Sequence, residues 1–379
     1  MQPTESWSEC IEGRVVPAPR DGRYLVGVLE GEGVGPEVVR AALRVLSAVE
    51  SVSSLRFELR FGGPIGIAAQ RCDGVPLTPG VVAFCEEIFA RGGAILAGPG
   101  GGRFVYDLRR RFDLFCKISP VSTFPELAGA GRLKPEHVRG VDCLLVRENA
   151  AGIYQGAWRE ETLFGTGRVA HHEFSYSEPQ VRRIVETAAR LAARRRGRLA
   201  VVLKDHGIPT VSALWRDVAR EAVNSHGIDL EVVNADYAAY RLVQNAQEFD
   251  VLVTSNLLGD MLIDLAGVLL GSRALACSGN FAHGVPAVYQ TNHGSAHDLA
   301  GTGRANPFGQ VFSLAMLLRE SFGLVRAAAL VECAVRAVWR DGWRTEDIAE
   351  PGTRAADTRL AGELTAAAVG ELAHEIEVA

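Results

Sequence analysis

The chain has 379 residues, 47% of them hydrophobic, enough for a sizeable core and more than one lobe. A formal net charge of −5 leaves no basic footprint for nucleic acid or an anionic membrane surface. Seven scattered cysteines, none spaced as CxxC, indicate neither a zinc knuckle nor a disulfide framework and fit a reducing cytoplasm, and the longest apolar runs, VLVTSNLLG and FSLAMLL, are too short to span a bilayer.

Residues 1–22 mix charges and prolines, lack an apolar segment of signal-peptide length, and read as an N-terminal tail or arm. RYLVGVLEG (23–31) predicts a buried strand, and GEGVGPEVVRAALRVLSAVE (31–50) a glycine-rich turn opening an amphipathic helix with Pro36 in its first turn. LRFELRF (56–62) is a second strand, PGVVAFCEEIFARGG (79–93) a helix closed by glycine, and AILAGPGGG (94–102) a strand running into a loop. Further on, VRRIVETAARLAARRRG (181–197) is a helix with one apolar face, RLAVVLKD (198–205) a strand, VSALWRDVAREAV (211–223) a helix, and LEVVNAD (230–236) and EFDVLVTSN (248–256) strands. Such alternation predicts an α/β protein with a mostly parallel sheet and ligand groups at the carboxyl ends of its strands. The arginine run 193–198, at a helix end, reads as solvated and complementary to the helix dipole.

Several segments carry residues suited to chemistry. DLRRRFDLFCKISPV (107–121) and VDCLLVRENAAGIYQG (141–156) place guanidinium groups near strand ends, where they suit bidentate capture of carboxylates; surface arginines and a core tyrosine are the plainer reading. In VVLKDHGIP (201–209) Lys204 follows an apolar strand, so it is either a partly desolvated proton-transfer group or a surface lysine. Asp236, after LEVVNA, is a cleft carboxylate or a helix cap. In SNLLGDMLIDLAGVLL (255–270) the only charges are Asp260 and Asp264, and a helix there returns to the same face after about 6 Å. Two carboxylates so close need a cation or strong donors, which makes them a solvent-facing helix edge or a pair for a hard divalent metal. YQTNHGSAHDLAGTGRANP (289–307) is dense in Gly, Ser, Asn and His and suits wrapping an adenosine, with Asp298 accepting from ribose hydroxyls.

Taken in order, LEGEGVGPEV, LRRRFDLF, VRENAAGIYQG, VVLKDHG, NADYAAY, VTSNLLGDMLIDLAG and HGSAHDLAGTGRANP make residues 23–375 resemble the isocitrate/3-isopropylmalate dehydrogenase family of metal-dependent β-decarboxylating dehydrogenases. The resemblance implies two α/β lobes sharing a mostly parallel central sheet, not a GxGxxG Rossmann fold. It implies a large cofactor-binding domain of 23–114 plus 271–379, and a small domain of 115–270 with substrate and metal residues and the dimer interface. By it, Asp236, Asp260 and Asp264 hold Mg²⁺ or Mn²⁺, with Asp236 crossing a homodimer interface; Arg109 and Arg147 bind the malate carboxylates; Tyr154 and Lys204 with Asp236 are catalytic; and His293, Gly294, Ser295, Ala296, Asp298 and Asn306 line the dinucleotide site. NADP-using relatives have lysine and tyrosine where this chain has Asp298 and Leu299, and a carboxylate repels a 2′-phosphate, so NAD⁺ is expected.

The chain departs from the family pattern at the substrate. A second arginine before proline is replaced by Ser119, and Lys117, two residues earlier, supplies a charge without bidentate geometry. Family positions that contact isocitrate through Ser and Asn are Arg103 and Val105, and a buried guanidinium beside an isopropyl group is penalised. The expectation is a 3-substituted malate with an anionic substituent, a carboxylate or a phosphonate as in 3-(phosphonomethyl)malate; an isocitrate, homoisocitrate or 3-isopropylmalate dehydrogenase and a catalytically silent regulatory subunit are the alternatives.

Overall fold

The structure, a computed structural model, describes residues 6–19 and 21–374. The strands are β1 (Tyr24–Leu29), β2 (Phe57–Phe61), β3 (Ala94–Ala97), β4 (Cys116–Ser122), β5 (Asp142–Glu148), β6 (Ala157–Leu163), β7 (Gly167–Glu173), β8 (Arg198–Leu203), β9 (Asp229–Asn234), β10 (Val251–Thr254), β11 (Cys277–Phe281), β12 (Ala287–Thr291) and a short pair, β13 (Trp343–Arg344) and β14 (Arg354–Ala355). The helices are α1 (Gly35–Ser51), α2 (Gly66–Asp73), α3 (Pro79–Ala90), α4 (Phe104–Arg111), α5 (Pro135–Val138), α6 (Glu178–Ala193), α7 (Pro209–His226), α8 (Ala235–Gln244), α9 (Asn256–Leu269), α10 (Phe308–Phe322), α11 (Val325–Arg340) and α12 (Thr358–Leu372).

Ten strands form one sheet in the order β2-β1-β3-β12-β11-β4-β5-β10-β8-β9. Pairing is parallel through β2-β1-β3-β12 and again through β5-β10-β8-β9, with an antiparallel strip, β12-β11-β4-β5, joining the two blocks. The expected α/β class and mostly parallel sheet are therefore present. Both faces are covered, which is why the strands read as apolar runs rather than alternating ones. On β1, Val26 and Val28 enter a cluster that runs the length of the sheet through Ile118, Val146, Val201 and Val253, while Leu25 and Leu29 turn to the opposite cluster with Ile88 and Ile95. At the other end Leu252 joins Leu145, Val202 and Leu262.

Two segments differ from expectation. From Ser6 onward the N-terminal arm is packed on the body rather than trailing from it: Cys10 and Ile11 are buried, Ser6 Oγ and the Ser8 amide donate to Glu320 at 2.7 and 2.8 Å, and Arg14 donates to the Gly284 and Val285 carbonyls. In the arginine run, Arg195 is not a solvated helix end, because its Nε donates at 2.8 Å to the buried Asp250 carboxylate, which also accepts the Arg196 amide. Among the described residues no helix is long and apolar enough to cross a membrane.

Candidate active site

Strand β5 delivers Arg147 one residue before its end, almost fully buried. Its Nε and Nη2 donate to Asn256 Oδ1 at 3.1 and 2.7 Å, and its Nη1 to Asp260 Oδ1 at 2.5 Å. Helix α9 approaches this closely because residue 259 is glycine: a Cβ there would meet the Arg147 side chain at 2.8 Å. The other oxygen of Asp260 accepts from the Tyr154 hydroxyl at 2.9 Å.

Two further cations crowd the same point. Lys117 on β4 is buried and faces Arg147 directly in the antiparallel register, a placement that is unfavourable for like charges. Arg109, in the last turn of α4, is buried beside Arg147 and Asp260. Burial, then the Arg109 and Arg147 charges, push the Lys117 ammonium well below its ordinary value. Burial and the Arg147 charge bring Arg109 down to about 9. Burial works to raise the Asp260 carboxyl, but the Arg147 charge, the Tyr154 hydroxyl and Lys117 outweigh it, and it lies below the usual carboxylate range. Tyr154 is raised, by burial first and then by the Asp260 charge and hydrogen bond, so the phenol keeps its proton. Three buried basic side chains crowd one ionised carboxylate, with Asp264 a weaker influence on Lys117.

Around this centre, Ser119 is buried two residues beyond Lys117, with the Asn292 amide 3.5 Å from its hydroxyl. Arg103, at the start of α4, donates to the Tyr154 carbonyl at 3.1 Å. Asp264 lies one turn beyond Asp260, where Arg273 grips both its oxygens at 2.8 and 2.7 Å. The electrostatic strain expected of the aspartate pair is thus relieved by two arginines, one for each carboxylate.

Lys204 and Asp236 bond to each other at 2.9 Å, Lys204 from the end of β8 and Asp236 from the first turn of α8. The Lys204 hydrogen bond holds the Asp236 carboxyl below its ordinary range. Of the two readings of Lys204, the single chain shows the surface one, with both side chains exposed. Among the described residues, no three His, Cys, Asp or Glu side chains of one chain gather into a metal site.

The loop after β12 packs on the glycine turn before α1. The Val34 amide donates to the Ser295 carbonyl at 2.9 Å, and a Cβ on Gly33 would lie 1.8 Å from that oxygen, so this glycine serves loop contact. Glu32 is buried and accepts from Ser295 Oγ at 3.1 Å and from the Ala68 and Gly101 amides. Ala296 adopts a left-handed φ of 41°, Gly294 and Asp298 are exposed, and Asn306 is turned inward, donating to Asp347 at 3.0 Å and accepting the Phe308 amide. His293 is driven down by burial; its Nδ1 lies 2.8 Å from the Gly294 carbonyl, and its buried Nε2 has no partner among the described residues.

Asn256, Glu32 and Arg273 were not among the sequence candidates. Asn256 sits in the first turn of α9 and Glu32 between two glycines, both within quoted motifs, while Arg273 follows the Gly-Ser that ends the apolar helix, a position open to inspection.

A family model described as isocitrate/isopropylmalate dehydrogenase matches residues 25–364. The chain is 36% identical to a 3-isopropylmalate dehydrogenase of Carboxydothermus hydrogenoformans, over 91% of this chain and 94% of that one. It is equally identical to one of Cupriavidus metallidurans, over 91% and 99%. Among solved structures it is similar to isocitrate dehydrogenase from Methylococcus capsulatus, with a TM-score of 0.81, 28% identity and coverage of 92% of this chain and 99% of that chain.

Proposed function

The chain belongs to the isocitrate/isopropylmalate dehydrogenase family and is an oxidoreductase, and from that premise we propose that it oxidises, with NAD⁺, a malate bearing an anionic C3 substituent, releasing CO₂ and a 2-oxo acid. The observation that carries this reading is the buried concentration of basic side chains: Arg109, Lys117 and Arg147 crowd Asp260, with Asp264 a weaker influence on Lys117, and a malate dianion supplies the negative charge that such a site favours. Arg103, on the rim beside Tyr154, then meets the third anionic group. The favoured substrate is 3-(phosphonomethyl)malate, giving 2-oxo-4-phosphonobutyrate.

In this reading the cations hold and orient the carboxylates, which fixes the C2 hydrogen toward the nicotinamide. The Tyr154 phenol, kept protonated at Oη beside Asp260, gives its proton to the carbon that has lost CO₂. Lys204 with Asp236, contributed by a second copy, takes the hydroxyl proton. Asp260 and Asp264 are hard oxygen donors on one helix face, and their remaining lone pairs fit Mg²⁺ or Mn²⁺ once Asp236 of a second copy completes the set. A cation held there supplies Lewis acidity at the substrate hydroxyl. Tyr237, Tyr240 and Met261, all exposed on α8 and α9, support pairing of two copies on this face. For the cofactor, the unpartnered Nε2 of His293 and the exposed Asp298 carboxylate support a dinucleotide without a 2′-phosphate. The division into a cofactor domain (23–114 with 271–379) and a substrate domain (115–270) belongs to the same reading, and seven free thiols support a reducing cytoplasm.

A second reading, 3-isopropylmalate, is favoured by the names of the 36% identical relatives. NADH appearance with isocitrate, homoisocitrate, 3-isopropylmalate, tartrate, D-malate and 3-(phosphonomethyl)malate decides between them. A wide margin for 3-isopropylmalate would overturn the anionic substituent; no turnover of any of them would point to a silent subunit.

A further inference from the structure

Arg103 is held by more than one kind of contact. Its guanidinium lies over the Trp158 ring, 4.6 Å from the centroid, and 5.5 Å from the centroid of Tyr106. Nη2 donates to the Tyr154 carbonyl at 3.1 Å and Nε lies 3.5 Å from Asp107, while Nη1 donates to no group among the described residues. An arginine on a flexible stem loses rotamer freedom when it captures an anion; one already in contact with two rings has lost part of it beforehand, so its free edge is presented at lower cost.

The two rings come from different parts of the fold. Tyr106 is on α4 with Arg103, and its ring packs 4.9 Å from that of Tyr154. Trp158 is on β6, half of a two-stranded sheet that stands apart from the main one. It pairs across that hairpin with His172, ring to ring at 5.8 Å, and His172 in turn bonds the Ile153 carbonyl, immediately before Tyr154. The hairpin therefore touches the site at two points, the guanidinium and the turn that carries the phenol.

We propose that Trp158 is a positioning residue for substrate choice: the hairpin uses its indole to hold the Arg103 guanidinium with one edge free for the substrate's C3 substituent. The inference rests on the reading of that substituent as anionic. Removing the indole should release the arginine without removing the charge, so the loss should fall on substrates that use the charge, and on KM rather than kcat.

The test is a panel of variants of the full-length enzyme assayed with 3-(phosphonomethyl)malate and 3-isopropylmalate. Trp158→Ala should raise KM for the phosphonate roughly tenfold, the size of a partly desolvated cation–π contact, leaving kcat and 3-isopropylmalate turnover near the wild-type values. Trp158→Phe, which keeps an aromatic face, should recover most of the loss. In an Arg103→Ala background the Trp158→Ala change should have no further effect. Phosphonate binding should also change the part of the tryptophan fluorescence that Trp158→Phe abolishes. Equal losses on both substrates, or a Trp158→Ala effect that persists without Arg103, would overturn the positioning role while leaving the substituent reading in place. An Arg103→Ala enzyme with unchanged preference between the two substrates would overturn both.

Discussion

The protein buries two clusters of charge, and they are built differently. Where the N-terminal arm meets α10, Arg14 and Arg319 face Glu320 and Glu332: Arg319 pairs with Glu332, and Glu320 accepts from Ser6 and Ser8. Positive and negative groups balance there. Near Tyr154, Arg109, Lys117 and Arg147 crowd Asp260, with Asp264 a weaker influence on Lys117. Buried charge is tolerated when it is paired and hydrogen-bonded. A cluster balanced in charge reads as structure, whereas a concentration of basic groups supports the proposal of an anionic ligand that balances it.

Cutting one arm of each cluster should give opposite readouts, and this is the largest effect expected. Arg147→Ala removes the proposed carboxylate clamp and leaves Asp260 with the Tyr154 hydroxyl as its remaining hydrogen-bond donor, so kcat/KM should fall on the order of a thousandfold. Glu320→Ala removes the acceptor of the Ser6 hydroxyl and the Ser8 amide and frees the arm, while Arg319 keeps Glu332. It should reduce unfolding free energy by about 1–3 kcal/mol while the folded enzyme keeps its kcat/KM. NADH appearance and urea denaturation on both variants measure the pair. If Glu320→Ala cost mainly activity, charge balance would not separate structural from functional burial.

Glu148 is an intermediate case and gives a pH signature. It is fully buried at the end of β5, accepts from the Ala150 and Ala151 amides at 3.1 and 2.9 Å, and has Arg183 at 3.9 Å and Asp113 beyond it. Burial raises it from 4.5 to about 7 despite those donors and Arg183. Below pH 4.5 it is protonated folded and unfolded alike; as pH rises, the unfolded chain releases the proton first, so folding loses stability up to pH 7 and levels off above it. The loss should reach about 3 kcal/mol across that window. Glu148→Gln should flatten the slope in urea titrations run from pH 4.5 to 8, and an unchanged slope would assign it to other groups.

Much of this contrast is legible in the sequence, and what is not has physical causes. β1, β3, β8 and β10 announce themselves because a sheet covered on both faces needs continuous apolar strands, and Asp260 and Asp264 stand out because nothing else on their helix is charged. Their compensation does not, since Arg147 and Arg273 reach them through the fold. The hairpin β6–β7 escapes the hydrophobic pattern because AWREETL and GRVAHHE are mostly exposed and have no apolar face; the FGTG between them is the only turn signal. Trp158, and with it the setting of Arg103, is hidden for the same reason. The Arg195–Asp250 pair is missed because a charge run at a helix end is usually solvated, while Asp250 opens a buried strand 55 residues away.

A subtler test reduces the imbalance without cutting a hydrogen bond to Asp260. Lys117→Met keeps the side-chain length and removes a cation that faces Arg147 in register. Without substrate the variant should be more stable than wild type by about 1–3 kcal/mol, because a buried amine whose charged form is disfavoured there is replaced by packing. With saturating dianionic substrate the order should reverse, since KM rises and ligand stabilisation is lost. Denaturation curves with and without substrate show both signs, and a loss of stability without substrate would mean that the cluster is balanced by groups other than Asp260.

The smallest effect concerns the second aspartate. Arg273 and Asp264 are both about half exposed, so their bidentate pair should contribute under about 1 kcal/mol to folding. That grip nevertheless covers both oxygens of a carboxylate proposed to hold the divalent cation. A cation entering there must displace the guanidinium, and its apparent affinity is reduced by whatever the pair is worth. Arg273→Ala should therefore leave the unfolding midpoint nearly unchanged and tighten Mn²⁺ binding roughly two- to fivefold in a titration of the substrate-free enzyme followed by electron paramagnetic resonance. Weaker binding would reverse the assignment: the arginine would then be orienting Asp264 for the cation, and the rim of the site would be built as rigidly as its interior.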